Sequence, residues 1–329
     1  MMQVHRNLDA LPLFRHAVIT IGTFDGVHTG HRQVISQLLQ EAAKINGESV
    51  IVTFDPHPRK ILPGPERELR LINSLNEKIE LLDQTGIDHL VIVPFTAAFS
   101  QLTPEQYVRD FLITNFHPHT IIIGYDHRFG RGRSGNYQML ENMSSMYSFA
   151  LCEIPAHILN AISVSSTSIR DAIAGGDIGR ANYLLGYPFF FEGQVVPGDR
   201  RGRLIGYPTA NLWVGDPEKL LPANGVYAVE LGIPESGYEL PTGVVSSKSS
   251  RPALQGMMNI GVRPTVGGSR LTIEVHIFNF EEDIYGRQVR VLVAGRLREE
   301  RKFGDIGALK GQLAIDQAAA AKLLLQRPW

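Results

Sequence analysis

Residues 17–31, AVITIGTFDGVHTGH, contain a short apolar run, a glycine-rich turn and the start of a helical pattern. From about His31 to Ile45, apolar side chains recur at the spacing of one helix face. Further apolar runs of strand length, rich in β-branched residues, are SVIVTF (49–54), HLVIVPF (89–95) and TIIIG (120–124). Such runs, separated by helices, are typical of a parallel sheet covered on both faces. Residues 17 to about 160 are therefore predicted to form a Rossmann-like α/β domain.

The sequence pattern changes after about Gly186, where glycine and proline become frequent and apolar residues alternate with polar ones. The alternation is clearest in YAVEL (227–231), TIEVHIF (272–278) and QVRVLV (288–293). Together with the hairpin signal Gly267-Gly268, these segments predict an antiparallel barrel or sandwich, and we expect the barrel. Helical spacing of apolar residues over 305–325 predicts a closing helix.

Length and composition limit the organisation of the chain. At roughly 100 to 200 residues per domain, a chain of 329 residues is expected to have two domains, over 1–186 and 187–329.

The 32 basic and 33 acidic side chains give a net charge of -1, so no overall electrostatic field recruits nucleic acid or a membrane surface. The single cysteine, Cys152, excludes an internal disulfide and a multi-cysteine metal site, and we expect a buried structural thiol.

The cellular compartment follows from what the sequence lacks. It has no apolar run of the roughly 18 residues needed to span a bilayer, and its N-terminus lacks the apolar core and cleavage site of a signal peptide. A single cysteine also fits a reducing compartment. We expect a cytoplasmic protein.

The histidines of GTFDGVHTGH (22–31) are the most specific chemical feature of the N-terminal half. His28 and His31 lie three residues apart where the predicted helix begins, so they can approach one another at its N-terminal end. Unpaired backbone N–H groups and the helix dipole favour an anion there, and the flanking glycines leave room for a triphosphate. The alternative is that both histidines are structural and cap the helix.

The segment GTFDGVHTGH resembles the HxGH signature of the nucleotidyltransferase superfamily. Its form is similar to that in the adenylyltransferase half of bacterial bifunctional riboflavin kinase/FAD synthetases. The resemblance continues in order through TFDPHPRKIL (53–62), GYDHRFGRGRSG (124–135) and SSTSIR (165–170). In SSTSIR, Ser and Thr before a helix supply hydroxyl and N–H donors to phosphate, and Arg170 is a bidentate partner. An ordinary helix cap is the alternative for this motif alone.

The resemblance implies a set of site residues in the N-terminal half. His28, His31 and Arg170 would stabilise charge at the α-phosphate of ATP, and the hydroxyl groups at 165–167 would hold phosphate. The other ATP-binding or flavin-binding positions would be Gly22, Phe24, Asp25, Gly26, His57, Asp126, Ser165, Ser166 and Thr167.

The glycines Gly130, Gly132 and Gly135 have the GxGxxG spacing of a dinucleotide-binding turn. That fingerprint requires the glycines directly after a strand, whereas YDHRF intervenes between Gly124 and Gly130. We therefore expect a basic loop near an anionic substrate, with a merely solvated loop as the alternative. His127 stands where the family more often has Phe.

The C-terminal half has no Walker A or protein-kinase signature but contains GDRRGRLIGYPTANL (198–212), a glycine-punctuated basic loop before Pro-Thr-Ala-Asn. Thr209 and Asn211 present two oxygen-bearing side chains suited to sharing Mg²⁺ and a nucleotide phosphate. An ordinary loop is the alternative for the motif alone. With LPANGVYAVEL (221–231), MMNIGVRPT (257–265) and TIEVHIFNFEEDIYGRQVRV (272–291), however, the pattern is similar to that of the riboflavin kinase domain.

Glu274 is the candidate general base of this half. In TIEVHIF the apolar Ile273, Val275 and Ile277 share one strand face, and Glu274 lies on the other, so it need not be buried in the core. A carboxylate beside a bound alcohol can accept its proton during phosphoryl transfer; a solvent-facing strand residue is the alternative. The resemblance implies ATP-binding or flavin-binding roles for Gly198, Gly202, Gly206, Pro208, Thr209 and Asn211. Val266 stands where a larger residue is expected.

The two resemblances cover roughly residues 15–325 and together imply a bifunctional enzyme of flavin cofactor synthesis. The C-terminal domain would transfer the γ-phosphoryl group of ATP to riboflavin, giving FMN. The N-terminal domain would let the FMN phosphate attack ATP, giving FAD and pyrophosphate. Mg²⁺ is expected at both sites, with Thr209 and Asn211 as its contacts in the kinase. One alternative is an enzyme in which only one half is active, and the other is a non-catalytic flavin-binding protein. The motifs are intact in each half, which argues against the two alternatives.

Overall fold

The structure, a computed structural model, describes residues 1–62, 69–124, 127–154, 164–198, 201–233, 254–265 and 268–326. The chain forms two compact units. The first unit contains Met1–Leu69 and Leu75–Ser165, and the second contains Arg70–Ser74 and Ser166–Trp329.

The first unit is built on a six-stranded sheet in which every pair of neighbouring strands is parallel. The strands are β1 (Gln3–His5), β2 (Val18–Ile21), β3 (Ser49–Asp55), β4 (His89–Pro94), β5 (Thr120–Gly124) and β6 (Ala150–Ile154). Their order in the sheet is β1-β4-β3-β2-β5-β6. All residues of β2 are buried, as expected for a strand covered on both faces. The predicted Rossmann-like parallel sheet is confirmed.

Helices connect most of these strands. They are α1 (Thr29–Lys44), α2 (Pro58–Ile61), α3 (Leu75–Asp83), α4 (Ala97–Ser100), α5 (Pro104–Gln106), α6 (Thr114–Phe116) and α7 (Tyr137–Tyr147), with a π-helical segment Tyr107–Ile113 and 3-10 turns Leu8–Ala10 and Arg131–Arg133. Helix α1 buries Ile35, Leu38 and Ala42, at the spacing present in the sequence. Because β2 and β3 are parallel neighbours, the turns that follow them lie at the same edge of the sheet.

The single cysteine lies in β6. Cys152 is half-buried rather than fully buried, and its sulfur accepts a hydrogen bond of 3.1 Å from the Gln37 amide. Burial raises the pKa of the Cys152 thiol. A raised pKa keeps the group in its unreactive thiol form at neutral pH.

The second unit is built on a closed antiparallel barrel with the strand order β10-β11-β8-β7-β12-β9. The strands are β7 (Phe190–Val196), β8 (Ala210–Trp213), β9 (Gly225–Gly232), β10 (Leu254–Thr265), β11 (Gly268–Ile277) and β12 (Gln288–Arg298). The predicted antiparallel barrel is confirmed. At the predicted hairpin, Thr265 pairs with Gly268 across β10 and β11, while Gly267 lies outside the described residues.

In the described residues of this unit, the helices that accompany the barrel are α8 (Ser166–Gly175), α9 (Ile178–Leu185), α10 (Arg201–Leu204) and α11 (Ile306–Leu325). Helix α11 is the predicted closing helix. Asp305 caps it, since its carboxylate accepts a hydrogen bond of 2.7 Å from the Ala308 N–H. The apolar cluster between this helix and the barrel contains Ala228, Met257, Ala294, Ala320 and Leu324.

A buried ion pair also joins α11 to the barrel. Asp316, 2% exposed, accepts hydrogen bonds from the Arg298 guanidinium of β12 at 3.0 Å (Nε) and 2.7 Å (NH2). The Gln312 amide donates a further bond of 2.7 Å to the Asp316 carboxylate. Because each buried charge has a partner, removing one partner leaves the other uncompensated.

We predict that Asp316→Asn lowers the free energy of unfolding by about 3 kcal/mol, because it leaves the Arg298 charge without a counterion. Urea denaturation measures the change. The double variant Asp316→Asn/Arg298→Met should recover part of the loss, since it removes the stranded charge. A double variant no more stable than Asp316→Asn would contradict this account of the ion pair.

A short segment from between α2 and α3 belongs to the second unit. Leu71 donates its N–H to the Glu218 carbonyl and accepts a bond from the Leu220 N–H, both at 2.8 Å. The Lys219 ammonium donates to the Ile72 carbonyl at 2.6 Å and lies 4.9 Å from the centroid of the Phe189 ring. Backbone pairing and a buried lysine therefore hold Arg70–Ser74 in this unit.

Helices α8 and α9 also belong to the second unit, so the units divide at Ser165. The Asn182 side chain of α9 donates to the Val293 carbonyl of β12 at 3.0 Å and accepts from the Phe189 N–H at 2.7 Å. Both bonds are buried, which makes the helix part of the barrel's packing. The expected division into an adenylyltransferase domain over 1–186 and a riboflavin kinase domain over 187–329 stays a prediction.

Within the part of the chain that the structure describes, no helix combines the length and the apolar composition needed to cross a membrane.

Candidate active sites

The turn between β2 and α1 has an unusual backbone. Phe24, Gly26 and Val27 have φ values of 48°, 92° and 34°, and only glycine adopts such values without strain. The strained turn keeps Asp25 (1% exposed) and His28 (5% exposed) buried at the edge of the sheet where β2 ends. Strain of this kind is concentrated at functional sites.

His28 is the N-cap of α1. Its Nδ1 accepts a hydrogen bond of 3.3 Å from the His31 N–H, so the alternative structural role of this histidine is present. An accepting Nδ1 puts the proton of the neutral ring on Nε2. His28 can therefore cap the helix with one nitrogen and donate a hydrogen bond with the other.

The two predicted histidines lie together. The His28 and His31 rings stack with centroids 3.6 Å apart and an angle of 16° between their planes, and the Phe24 ring lies 5.0 Å from that of His31. Burial first, and then the charges of His28 and Lys78, hold the pKa of His31 well below its usual value. The lowered pKa favours the neutral form of His31 at neutral pH, and a neutral ring can offer a hydrogen bond but no charge.

The low pKa of His31 predicts a pH-dependent stability. Below about pH 6.5 the unfolded chain takes up a proton at this residue while the folded chain does not, so the folded state loses stability as the pH falls. The loss from this one group is at most about 1.4 kcal/mol per pH unit. Urea denaturation between pH 7 and pH 5 should give a shallower dependence for His31→Gln than for the unmodified chain. Equal slopes would contradict the prediction.

Two further predicted residues, His57 and Gly22, have local structural roles. His57 caps α2, because its Nδ1 accepts a bond of 3.1 Å from the Arg59 N–H. A Cβ added at Gly22 would lie 3.1 Å from the Phe24 ring, so glycine is needed for close packing there. Asp126 lies outside the described residues.

The SSTSIR motif is divided between the units. Ser165 ends the first unit, whereas Ser166 begins α8 of the second unit and is followed there by Thr167 and Arg170. The Arg170 Nε donates to the Arg70 carbonyl at 3.0 Å. This bond fixes the base of the guanidinium within the second unit.

The GxGxxG glycines serve a tight turn. Gly130 and Gly132 have positive φ values of 70° and 63°. Phe129 and Gly135 pair across the turn, and a Cβ on Gly135 would overlap the Phe129 ring. This turn does not directly follow a strand, since β5 ends at Gly124. The glycines are therefore explained by local geometry.

The barrel unit contains a cavity of about 530 Å³. Four of the predicted site residues line it: Gly198, Pro208, Thr209 and Asn211. Glu274 faces Asn211 across the β8–β11 pair, although Glu274 itself does not line the cavity. The structure thus brings the proposed base next to one proposed Mg²⁺ contact.

Glycines allow the loop before β8 to approach its functional side chains. A Cβ on Gly198 would overlap the Asn211 amide, and a Cβ on Gly202 would overlap the Tyr207 carbonyl. Gly206 has a φ of 86°, in the left-handed region that glycine favours.

His276 supports the same loop. Its Nδ1 lies 2.8 Å from the Pro208 carbonyl, and its ring centroid lies 5.1 Å from that of Tyr207. Because a carbonyl only accepts, Nδ1 carries the proton of this bond. The residue therefore positions the Pro-Thr-Ala-Asn element.

Sequence reasoning did not single out several residues of the cavity wall. They are Arg203, Glu281, Glu282, Asp283 and Tyr285. The acidic residues lie in NFEEDIYG, inside a segment used for the resemblance. Their acidic run was a visible signal, but only the fold puts them opposite Thr209 and Asn211.

Comparison with known proteins defines the class of this chain. The family model for FAD synthetase matches residues 12–168, and that for riboflavin kinase matches residues 185–324. The chain is therefore a transferase that joins a FAD synthetase domain to a riboflavin kinase domain.

Full-length relatives identify the family. A protein of Escherichia coli (strain K12) named bifunctional riboflavin kinase/FMN adenylyltransferase is 36% identical over 304 residues, which cover 92% of this chain and 91% of the relative. A Haemophilus influenzae protein of the same name is 33% identical over 97% of this chain and 98% of the relative. This chain belongs to the family of bifunctional riboflavin kinase/FMN adenylyltransferases.

A solved structure has the same fold. It is described as a macrolide-efflux protein from Streptococcus pneumoniae and aligns with a TM-score of 0.82 at 29% identity, covering 97% of this chain and 98% of the other.

Proposed function

We propose that the barrel unit phosphorylates riboflavin to FMN in the cavity lined by Thr209 and Asn211, and that FMN is adenylylated to FAD at the His28–His31 pair. ATP is the second substrate of both steps. The observation that carries this proposal is the match of both family models to successive parts of one chain. Incubation of the purified chain with riboflavin, ATP and Mg²⁺ should yield FMN first and FAD later. Untouched riboflavin would contradict the kinase assignment.

Adenylyl transfer needs positioning more than proton transfer, because its nucleophile is already an anion. An FMN phosphate oxygen attacks the α-phosphorus of ATP, the bond to the β-phosphate oxygen breaks, and pyrophosphate leaves. The Nε2–H of His28 and the N-terminal end of α1 are the donors proposed for the charge on the α-phosphate. His31 and Arg170 are assigned to the same charge, and the hydroxyl groups of 165–167 to phosphate.

We predict that His28→Ala lowers FAD formation by about 100-fold or more, since it removes a transition-state donor, while FMN formation continues. His28→Asn should lose as much activity but regain stability, because Asn is a good N-cap. His119→Ala is a matched control, since His119 is exposed and precedes β5 at the opposite edge of the sheet. Product chromatography and thermal unfolding measure the two effects. An equal fall in FMN and FAD formation would count against separate sites.

The kinase step starts from a neutral alcohol and therefore needs a base. The Glu274 carboxylate is assigned to accept the proton of the riboflavin 5′-hydroxyl as its oxygen attacks the γ-phosphorus and ADP leaves. The pairing of Glu274 with Asn211 supports this role, because cross-strand partners present their side chains on one face.

Mg²⁺ fits the oxygen donors of the barrel cavity. The Thr209 hydroxyl and the Asn211 amide oxygen are ligands of the kind that Mg²⁺ prefers, and the carboxylates of Glu281, Glu282 and Asp283 line the same cavity. Among the described residues, no group of three or more His, Cys, Asp or Glu side chains could hold a metal ion. We therefore assign the ion to Thr209, Asn211 and the phosphates of ATP. When bound, it neutralises charge on the transferred phosphoryl group.

We predict that Glu274→Gln lowers FMN formation by about 10² to 10⁴, the range of general-base assistance, and leaves FAD formation from supplied FMN near the original rate. Glu299→Gln is a matched control, because its side chain is 86% exposed beyond the barrel strands. Steady-state rates of each step measure the effect. If Glu274→Gln keeps more than about a third of kinase turnover, a loss far below the range expected for a general base, the residue is not the base.

Three further features belong to the same proposal. The adenylyltransferase domain spans residues 1–186 and the riboflavin kinase domain spans residues 187–329. The enzyme works in the cytoplasm, and its partners are small molecules rather than nucleic acid or membranes. The balanced charge of 32 basic against 33 acidic residues supports the last point.

A further inference from the structure

Lys78 lies in the first part of α3, near the edge of the sheet that carries the two histidines. Helix α3 follows β3 and precedes β4, so its N-terminal turn lies toward the carboxyl ends of those strands. The β2–α1 turn occupies the same edge, because β2 pairs with β3. Lys78 also contributes to the lowered pKa of His31, in keeping with this placement.

The Lys78 side chain is largely buried and has no direct polar partner. The residue is 6% exposed, and within the described part of the chain its ammonium forms no hydrogen bond or ion pair. Asp25 and Asp55 raise the pKa of Lys78, but burial has the larger effect and lowers it. A largely buried cation without a hydrogen-bonded counterion is unfavourable.

We propose that Lys78 binds a phosphate group of a substrate in the adenylyl-transfer site, an inference that rests on the function proposed for that site. Phosphate supplies both the negative charge and the acceptor oxygens that the ammonium lacks. The neighbouring His31 supplies no positive charge to such a group, because it is neutral. Lys78 thus supplies a positive charge beside the histidine pair.

Two phosphate sources pass through this site. The FMN phosphate forms the new bond to the α-phosphorus, and the β- and γ-phosphates of ATP leave as pyrophosphate with the electron pair of the broken bond. Lys78 favours adenylyl transfer by holding either the entering FMN phosphate or the departing pyrophosphate. This role needs no proton transfer.

The test compares Lys78→Met with Lys78→Arg in the full chain. Methionine keeps much of the length and volume of lysine but removes the charge, whereas arginine keeps the charge. Lys44→Met is the matched control, because Lys44 is an exposed residue of α1 in the same unit, paired with Glu41 at 2.7 Å. Thermal unfolding, calorimetric binding of inorganic pyrophosphate and of FMN, and both reaction rates are measured for each variant.

Lys78→Met should unfold at the same or a higher temperature than the unmodified chain, since it removes an unpaired buried charge. It should lose about 10- to 100-fold in affinity for its phosphate ligand and a similar factor in FAD formation, as expected for a charged hydrogen bond. Lys78→Arg should keep part of the phosphate affinity and part of the rate of FAD formation. A loss confined to pyrophosphate identifies the ATP phosphates as the ligand, and a loss confined to FMN identifies the FMN phosphate.

Two results would overturn the role of Lys78. One is binding of pyrophosphate and FMN by Lys78→Met within about threefold of the unmodified chain, well under the loss expected for a charged hydrogen bond. The other is a fall in unfolding temperature that accompanies equal losses of FMN and FAD formation, which would make the residue structural. Failure of the proposed function would give different results. The unmodified chain would make no FAD, or His28→Ala would leave FAD formation intact. Neither result depends on how Lys78→Met affects phosphate binding.

Discussion

The hydrogen bond from the His31 N–H to the His28 imidazole is the contact on which the proposed adenylyl-transfer site depends. It closes a turn with left-handed residues and sets the residue at which α1 begins. It also fixes which ring nitrogen of His28 carries a proton and brings the two rings into a stack. One side chain thus forms the helix cap and carries the donor proposed for catalysis, so the structural role of His28 does not exclude the proposed one.

Most of the fold could be predicted because it follows from local patterns. Continuous β-branched runs became parallel strands and alternating runs became antiparallel ones, since each pattern reflects how many strand faces are buried. Strand β1 was missed, because its residues Gln3–His5 are too few to form a pattern and pair only with β4. Helix α9 joins the barrel through Asn182, and sequence spacing gives no sign of that contact.

The proximity of candidate residues could be predicted where they are close in sequence, as with His28 and His31 or Thr209 and Asn211. Residues that reach a site only through the fold were not predicted. Glu281 to Asp283 line the cavity because the chain after β11 returns to it. In sequence, Lys78 resembles any charged residue of an amphipathic helix, and its spacing gives no sign that it is buried. The neutral state of His31 likewise depends on surroundings that a motif does not record.

The segment Arg70–Ser74 affects how the chain is assembled during synthesis. Ile72 is bonded to Lys219, 147 residues further along, so the segment leaves the ribosome long before its partner. Contacts that distant in sequence form slowly, because a long loop must close first. The parallel-sheet unit can fold on the nascent chain, but this part of the barrel unit stays open until residues near 219 have emerged. Because residues of the second unit lie on both sides of residues of the first in the sequence, the first unit can complete its folding during translation before the second.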